Sequence, residues 1–191
     1  MLSFFKANPK NSGTACSFWL NSKDGSFWCS LLKQASWDHA KKRGSFAANR
    51  DTNKHARVKF NVTEICGFIE VIKNNIQLKD AGVSGYHSSQ KQVVKFSFSP
   101  MTSKDGRSGF VLFVSKEEKE DSTNQVEFKI GFSKAEARSL LIYFDEMVRK
   151  SFKSFGESDQ EDSTDSNAYS APQKPNKPKQ EEEEESENFD F

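Results

Sequence analysis

SKDG at residues 22–25 recurs as SKDG at residues 103–106, and each copy lies between two runs rich in apolar and aromatic residues. An Asp-Gly pair between such runs is a strong signal for a β-hairpin. The runs that flank the two copies are 16–20 and 27–32 for the first, and 93–98 and 110–114 for the second. The sequence therefore predicts two related hairpins.

A second similarity follows each hairpin. Residues 57–64 read RVKFNVTE and residues 129–136 read KIGFSKAE, so in both an alternating strand ends in Phe and is followed by a helix N-cap. Ser133 with Glu136 has the capping-box pattern, and Asn61 with Glu64 is a looser match. The apolar positions that follow have the i, i+3, i+4, i+7 spacing of an amphipathic helix: Ile65, Phe68, Ile69 and Ile72 in the first copy, and Ala137, Leu140, Leu141 and Phe144 in the second.

A further strand can be placed before each hairpin, at residues 2–7 and 84–88. We therefore predict an α+β fold of two pseudo-symmetric strand-strand-strand-strand-helix repeats with antiparallel sheets. The repeats, residues 1–80 and 81–155, are expected to share one compact domain. The two SKDG tetrapeptides are 81 residues apart, whereas the two helices are 72 residues apart. The first repeat therefore has nine extra residues between its hairpin and its helix, and we assign them to a basic loop at residues 37–53. A five-stranded OB-fold barrel is the alternative architecture, which the duplicated helix disfavours.

Charge is distributed unevenly along the chain. Residues 1–152 carry 24 Lys and Arg against 15 Asp and Glu, a net charge of +9, whereas residues 153–191 carry 4 Lys against 12 acids, a net charge of −8. Residues 156–191 contain too little apolar surface to offset the entropy of ordering, so we predict a disordered acidic tail. A basic body with an acidic tail indicates an anionic partner that the tail imitates.

The tail ends in the sequence QEEEEESENFDF, from Gln180 to Phe191. Its acids suit a basic groove, and Phe189, Asp190 and Phe191 suit a pocket on a partner protein. The alternative is a tail that only keeps the chain in solution.

Several classes of function are disfavoured. The chain contains no recognised catalytic motif, and His39, His55 and His87 have no ligand at metal-binding spacing. We therefore expect a protein that is not an enzyme and uses neither metal nor cofactor. The three cysteines suggest reduced core residues, and no window has the length of a signal peptide or membrane span. We expect a cytoplasmic protein without a membrane partner.

Alternation along the strands predicts which side chains face away from the helices. Aromatic rings and cations alternate there, as single-stranded nucleic acid requires, because bases stack on rings and cations neutralise phosphates. The candidates are Trp19, Trp28, Arg57 and Lys59 in the first repeat, Lys95, Phe113 and Lys129 in the second, and Trp37, Lys41, Lys42 and Arg43 in the basic loop. The alternative is that Trp19 and Trp28 belong to the core, covered by the other repeat.

The repeated unit resembles the Whirly proteins and the purine-rich-element binders, and a single unit resembles the positive cofactor four family, which has bacteriophage members. The acidic, Phe-ended terminus is similar to those of bacterial and phage single-stranded-DNA-binding proteins. These resemblances imply a phage-type protein that binds single-stranded DNA without sequence preference in replication, recombination or repair. Its tail would compete with DNA and recruit replication or recombination proteins, and the chain could form a homo-oligomer. A transcription regulator or RNA-binding protein on the same fold, or a protein-interaction scaffold, are the alternatives.

Overall fold

Two antiparallel sheets, each followed by one helix, form the described part of the chain. The structure is a computed structural model that describes residues 1–47, 53–74, 82–102, 105–119 and 125–157, with side chains to residue 152. The first repeat comprises β1 Leu2–Lys6, β2 Thr14–Leu20, β3 Phe27–Asp38, β4 Arg43–Phe46, β5 His55–Phe60 and α1 Val62–Asn74. The second comprises β6 Val83–Ser88, β7 Gln92–Thr102, β8 Ser108–Glu118, β9 Gln125–Ser133 and α2 Lys134–Glu157. The predicted α+β class with two strand-rich, helix-ended repeats is confirmed.

The first sheet has the order β1-β2-β3, after which β3 pairs with two strands. Its first half pairs with β5, and its second half pairs with β4 beyond a register shift between Gln34 and Ser36. The prediction of a basic loop from residue 37 was therefore wrong in part. Trp37 lies on β3, Arg43 lies on β4, and a turn joins the two strands; residues 48–52 of the predicted loop lie outside the described residues. A twelve-residue strand with a bulge can change partners midway, which short-range sequence signals do not reveal.

In the second sheet the order is β6-β7-β8-β9, with each strand beside its neighbour in sequence. The pairings show which positions of the two repeats are equivalent. Phe27 pairs with Phe60 and Phe110 pairs with Phe132, and both Phe60 and Phe132 lie just before a helix. Trp28 is therefore equivalent to Val111. Alignment of the two SKDG tetrapeptides, which are 81 residues apart, would instead match Trp28 with Gly109. The two alignments disagree because the hairpin loops of the two repeats differ in length.

Both helices begin at a reciprocal capping box. The Asn61 backbone N–H donates to Glu64 Oε2 and the Glu64 N–H donates to Asn61 Oδ1, each at 2.8 Å. The Ser133 N–H donates to Glu136 Oε2 at 2.8 Å, and the Glu136 N–H donates to Ser133 Oγ at 3.3 Å. The looser Asn-Glu pattern thus forms the complete motif, and each helix starts directly at the end of a strand.

The inner faces of the sheets and the two helices share one core rich in phenylalanine. Phe60 of β5 packs edge-on against Phe68 of α1 and Phe96 of β7, with ring centres 5.1 and 5.0 Å apart. Phe18 of β2 packs edge-on against Phe144 of α2 at 5.1 Å. Aromatic pairs of this kind contribute about 0.5–1.5 kcal/mol beyond their burial. The repeats are therefore joined by packing, and the opposite sheet faces stay uncovered by the helices.

The predicted apolar faces of the helices agree with the observed burial. Ile65, Phe68, Ile69 and Ile72 are buried on α1; on α2, Ala137, Leu140 and Phe144 are buried and Leu141 is half-buried. Cys16 and Cys29 are also buried, with Sγ atoms 3.4 Å apart. Burial raises the pKa of the Cys16 thiol well above its ordinary value, so that thiol is protonated at neutral pH.

Candidate nucleic-acid interface

Two tryptophans form a stacked pair on the outer face of the first sheet. Trp19 of β2 lies directly opposite Trp28 of β3, and their rings are nearly parallel, at 13°, with centres 6.4 Å apart. Their neighbours Phe18 and Phe27 point into the core and are 2% and 1% exposed. Both tryptophans are half-buried and lie outside the core. Alternation along β2 and β3 thus places the indoles on the outer face, and the interpretation as core residues was wrong.

Two cations from β5 lie over these rings. The guanidinium carbon of Arg57 is 5.7 Å from the ring centre of Trp19, and Lys59 Nζ is 5.9 Å from that of Trp28. Arg57 pairs with Ser30, whose small side chain lies between Arg57 and β2. Exposed cation–π contacts are worth only about 0.5–1 kcal/mol. A base could therefore displace either cation from its ring.

A hydrogen-bonded chain anchors one of the two rings. Trp28 Nε1–H donates to Ser26 Oγ at 2.8 Å, and the Ser26 hydroxyl donates to Asp24 Oδ1 at 2.6 Å. Asp24 Oδ2 also accepts from Lys59 Nζ at 3.4 Å. The hydrogen bonds from Ser26, followed by that from Lys59, hold the pKa of Asp24 below its ordinary value. Asp24 therefore positions the Trp28 ring through Ser26 and also binds Lys59. The sequence pattern indicated only a turn residue at this position.

The β3–β4 hairpin carries four of the predicted residues. Trp37 is half-buried near the end of β3, while Lys41, Lys42 and Arg43 are exposed. The Lys41 side chain is 76% exposed, and its Nζ lies 3.9 Å from Asp38 Oδ2. The hairpin thus places three cations and one ring in a short segment, separate from the β5 cations.

The outer face of the second sheet has a sparser set of candidates. Phe113 of β8 lies opposite Lys129 of β9, and Lys95 of β7 forms an ion pair with Glu117 at 3.5 Å. Phe113 is half-buried and both lysines are exposed. Because Val111 is equivalent to Trp28, this sheet lacks a matching indole there. Tyr86, opposite Lys95 and 71% exposed, is an aromatic residue of this face that the sequence interpretation left out.

One cleft joins the second-sheet candidates to the first repeat. Phe113 and Lys129 line a cleft of about 510 Å³ together with Lys33 and Lys54 of the first repeat. Lys33 Nζ also lies 5.5 Å from the ring centre of Phe128. Lys33 was missed because its position on β3 is in phase with the inward-facing Phe27, Cys29 and Leu31, so alternation predicts a core side chain there. The predicted residues thus form three groups: the tryptophan pair with its cations, the β3–β4 hairpin, and the second-sheet group.

Some predictions cannot be placed on this structure. Phe189, Asp190 and Phe191 lie outside the described residues, as does the acidic run before them. Within the described ranges, no helix has the length and apolarity to cross a membrane. In the same ranges, no three His, Cys, Asp or Glu side chains form a group that could hold a metal ion.

Comparison with known proteins yields similarity of fold only. No family model and no curated protein sequence matches the chain. Among solved structures, WHY1 from Arabidopsis thaliana aligns with a TM-score of 0.56 and 14% identity over 83% of this chain and 95% of that chain. WHY3 from the same plant aligns with a TM-score of 0.54 and 14% identity over 83% and 91% of the two chains. The plant transcriptional regulator PBF-2 aligns with a TM-score of 0.55 and 15% identity over 85% and 88%.

Proposed function

We propose that this chain is a non-enzymatic protein that binds single-stranded DNA across the outer faces of its sheets. The observation that carries the proposal is the Trp19–Trp28 stack with Arg57 and Lys59 over its rings. Bases stack on such rings with about 1–3 kcal/mol each, whatever their identity. Duplex DNA hides the faces of its bases, so the same surface favours unpaired strands.

The Whirly fold supports this proposal. The chain shares its two-sheet, two-helix architecture with WHY1, WHY3 and PBF-2 over more than four-fifths of its length. The resemblance to Whirly proteins implies nucleic acid on the sheet faces, which is where the aromatic and cationic side chains are found. The resemblance to phage single-stranded-DNA-binding proteins implies a role in DNA replication, recombination or repair. It also implies that this role is carried out in the cytoplasm of the bacteriophage's host.

The acidic tail supplies the regulatory part of the proposal. With a net charge of −8 in residues 153–191 against +9 in residues 1–152, the tail competes with DNA for basic side chains. When DNA displaces the acids, the terminal Phe189, Asp190 and Phe191 become available to a replication or recombination protein. Competition of this kind weakens as salt rises, because screening reduces the attraction of the tail for the body.

The experiment compares three ligands of equal length by fluorescence anisotropy: a labelled oligothymidylate, a DNA duplex and a single-stranded RNA. We expect the oligothymidylate to bind at least tenfold more tightly than the duplex. We also expect its affinity to fall with salt at a log–log slope of about −0.7 for each phosphate neutralised. Equal affinity for duplex and single strand would overturn the proposal.

A transcription regulator is the second candidate, because PBF-2 is described as a plant transcriptional regulator. That function requires discrimination between sequences, whereas stacking tolerates any base. Competition between unrelated single strands of one length separates the two candidates. A preference of more than about a hundredfold, equal to about 2.7 kcal/mol, exceeds what differences in stacking provide and would favour the regulator.

A further inference from the structure

A second cleft, of about 650 Å³, opens between the edge strand of the first sheet and the β6–β7 turn of the second. Its volume lies within the range of about 300–1,000 Å³ that is usual for small-molecule sites. Most of the buried members of its lining are apolar: Val58, Phe60 and Val94 are 2%, 1% and 5% exposed, and Ser26 is a buried polar member. The cleft therefore offers an apolar interior that lies beside the tryptophan pair.

Its exposed lining has the opposite character. Arg57 and Lys59 belong to the lining, and so does Trp28. The same two cations lie over the indole rings, so one cluster of side chains serves both the cleft and the stack. An apolar interior with cations at its exposed edge suits a flat ring that is linked to a phosphate.

His87, whose side chain is 36% exposed, also lines this cleft and carries an unsatisfied polar atom. His87 Nε2 is buried and makes no hydrogen bond among the described residues. Glu64 Oε1 is 3.3 Å away, a distance that allows an ion pair if the ring is protonated but lacks hydrogen-bond geometry. The His87 ring is held against Phe96, with centres 5.6 Å apart and planes at 16°. A buried polar atom without a hydrogen-bond partner destabilises the structure, and a hydrogen bond from a ligand would remove that penalty.

We infer that this cleft receives one unstacked nucleobase of a bound single strand, with the adjoining phosphates at Arg57 and Lys59 and the base edge at His87. The inference rests on the proposed function and adds a distinct subsite to it. Neutral imidazole can donate or accept at Nε2 according to its tautomer, so base carbonyls and ring nitrogens both qualify. One base is inserted between the sheets, while its neighbours stack on Trp19 and Trp28.

The first test is an NMR titration of the full chain with an eight-residue oligothymidylate. We expect the His87 imidazole and Val94 methyl signals to shift together with the Trp28 indole signal, at the same DNA concentrations. If the tryptophan signals shift while those of His87 and Val94 do not, the cleft subsite is overturned and surface stacking stands. If the DNA does not bind at all, the proposed function and the subsite fail together.

The second test narrows the cleft by substitution. Ser88 is exposed and lines the cleft, so Ser88→Phe should occupy the space of the base. We expect affinity for the oligothymidylate to fall about tenfold, the loss of one inserted base. Ser139→Phe, on the exposed face of α2, is the matched control and should leave affinity unchanged. Equal affinity of a folded Ser88→Phe variant and the control would overturn the inference, and the NMR titration decides the matter if Ser88→Phe does not fold.

Discussion

Trp19 and Trp28 are already stacked on each other because they lie at opposed positions of adjacent strands. Directly opposed positions of an antiparallel pair bring side chains together, and Ser26 fixes the Trp28 ring by accepting its N–H. Little rotamer entropy then remains to be lost when a base binds. This preorganisation distinguishes the pair from isolated exposed aromatics such as Tyr86.

Replacement of each indole tests its contribution to binding. Trp19→Ala and Trp28→Ala should each weaken binding to oligothymidylate by about 5- to 150-fold, because each removes one stacking surface. Both positions lie outside the core, so the thermal unfolding midpoint should change little. Affinity is measured by anisotropy and folding by circular dichroism. Variants that lose their fold but retain affinity per folded molecule would show that the indoles serve stability instead.

Asp24 is predicted to restrain Lys59 as well as to position Trp28. Asp24→Asn removes the carboxylate that Lys59 now meets at 3.4 Å, so Lys59 becomes free to neutralise a phosphate. The log–log salt slope of single-strand binding should steepen by about 0.7. Glu70→Gln, at an exposed position of α1, makes the same change in net charge and is the control. If the two variants have equal slopes, Asp24 does not restrain Lys59.

At the scale of elements, each helix depends on the residue pair that begins it. Asn61→Ala removes the side chain that accepts from the Glu64 N–H and should lower the free energy of unfolding by about 1 kcal/mol. Urea denaturation measures this loss. Thr63→Ala, at an exposed position in the first turn of the same helix, is the control and should cost less. An equal cost for both variants would show that the capping box contributes nothing specific.

The second capping box gives a dependence on pH. Although burial raises the pKa of Glu136, hydrogen bonds from Lys6 and Ser133 outweigh that effect and leave the pKa below its ordinary value of 4.5. A lowered folded-state pKa adds stability above the ordinary value, and that stability is lost as pH falls through the folded-state pKa. Glu136→Gln should therefore destabilise the protein by about 1 kcal/mol at pH 7 and by less below pH 4.5.

The control for this prediction is Glu146→Gln, which removes an exposed ion pair with Lys150 on the same helix. Exposed pairs of this type are worth about 0.3–0.5 kcal/mol. The quantity compared is the free energy of urea unfolding at several pH values. A loss for Glu136→Gln that stays constant down to pH 3 would contradict the assigned pKa direction.

The elements that the sequence predicted well are those specified by neighbouring residues. Hairpins, N-caps and helix faces depend on spacing within about ten residues, and alternation along the strands likewise predicted that Trp19, Trp28, Arg57 and Lys59 lie on the outer face. The extension of β3 and its pairing with β4 depend on the bulge near Gln34. Gln34 in turn accepts from the backbone N–H groups of Asn8 and Gly13, at 2.8 and 3.2 Å. Contacts over more than twenty residues leave no periodic signal in the sequence.

At the scale of the molecule, duplication has produced two sheets with unequal outer faces. The first carries the paired indoles and the β5 cations, whereas the second has Val111 at the position equivalent to Trp28 and an acidic Glu117 beside Lys95. The common core fixes the two sheets to each other through Phe60, Phe68 and Phe96. A bound strand should therefore make its strongest contacts on the first sheet.

Removal of residues 181–191 tests the proposed competition by the tail. Deletion takes away seven acids, so affinity for oligothymidylate should rise at low salt, and the difference from the full chain should vanish as salt is raised. Anisotropy titrations at about 20 mM and about 300 mM salt measure this difference. Screening of exposed charges is weak at the lower salt concentration and strong at the higher one. A control replaces the five glutamates of residues 181–185 by glutamine and keeps the tail length. Unchanged or weaker binding of both variants at low salt would contradict competition.

The central claim is that unpaired bases stack on the indoles of the first sheet. Its most direct test follows the tryptophan emission of the full chain as oligothymidylate is added, with the Trp19→Ala/Trp28→Ala double variant as the reference. We predict saturable quenching in the natural chain, little quenching in the double variant, and little with duplex DNA. Emission that stays constant while anisotropy shows the oligothymidylate to be bound would contradict the claim.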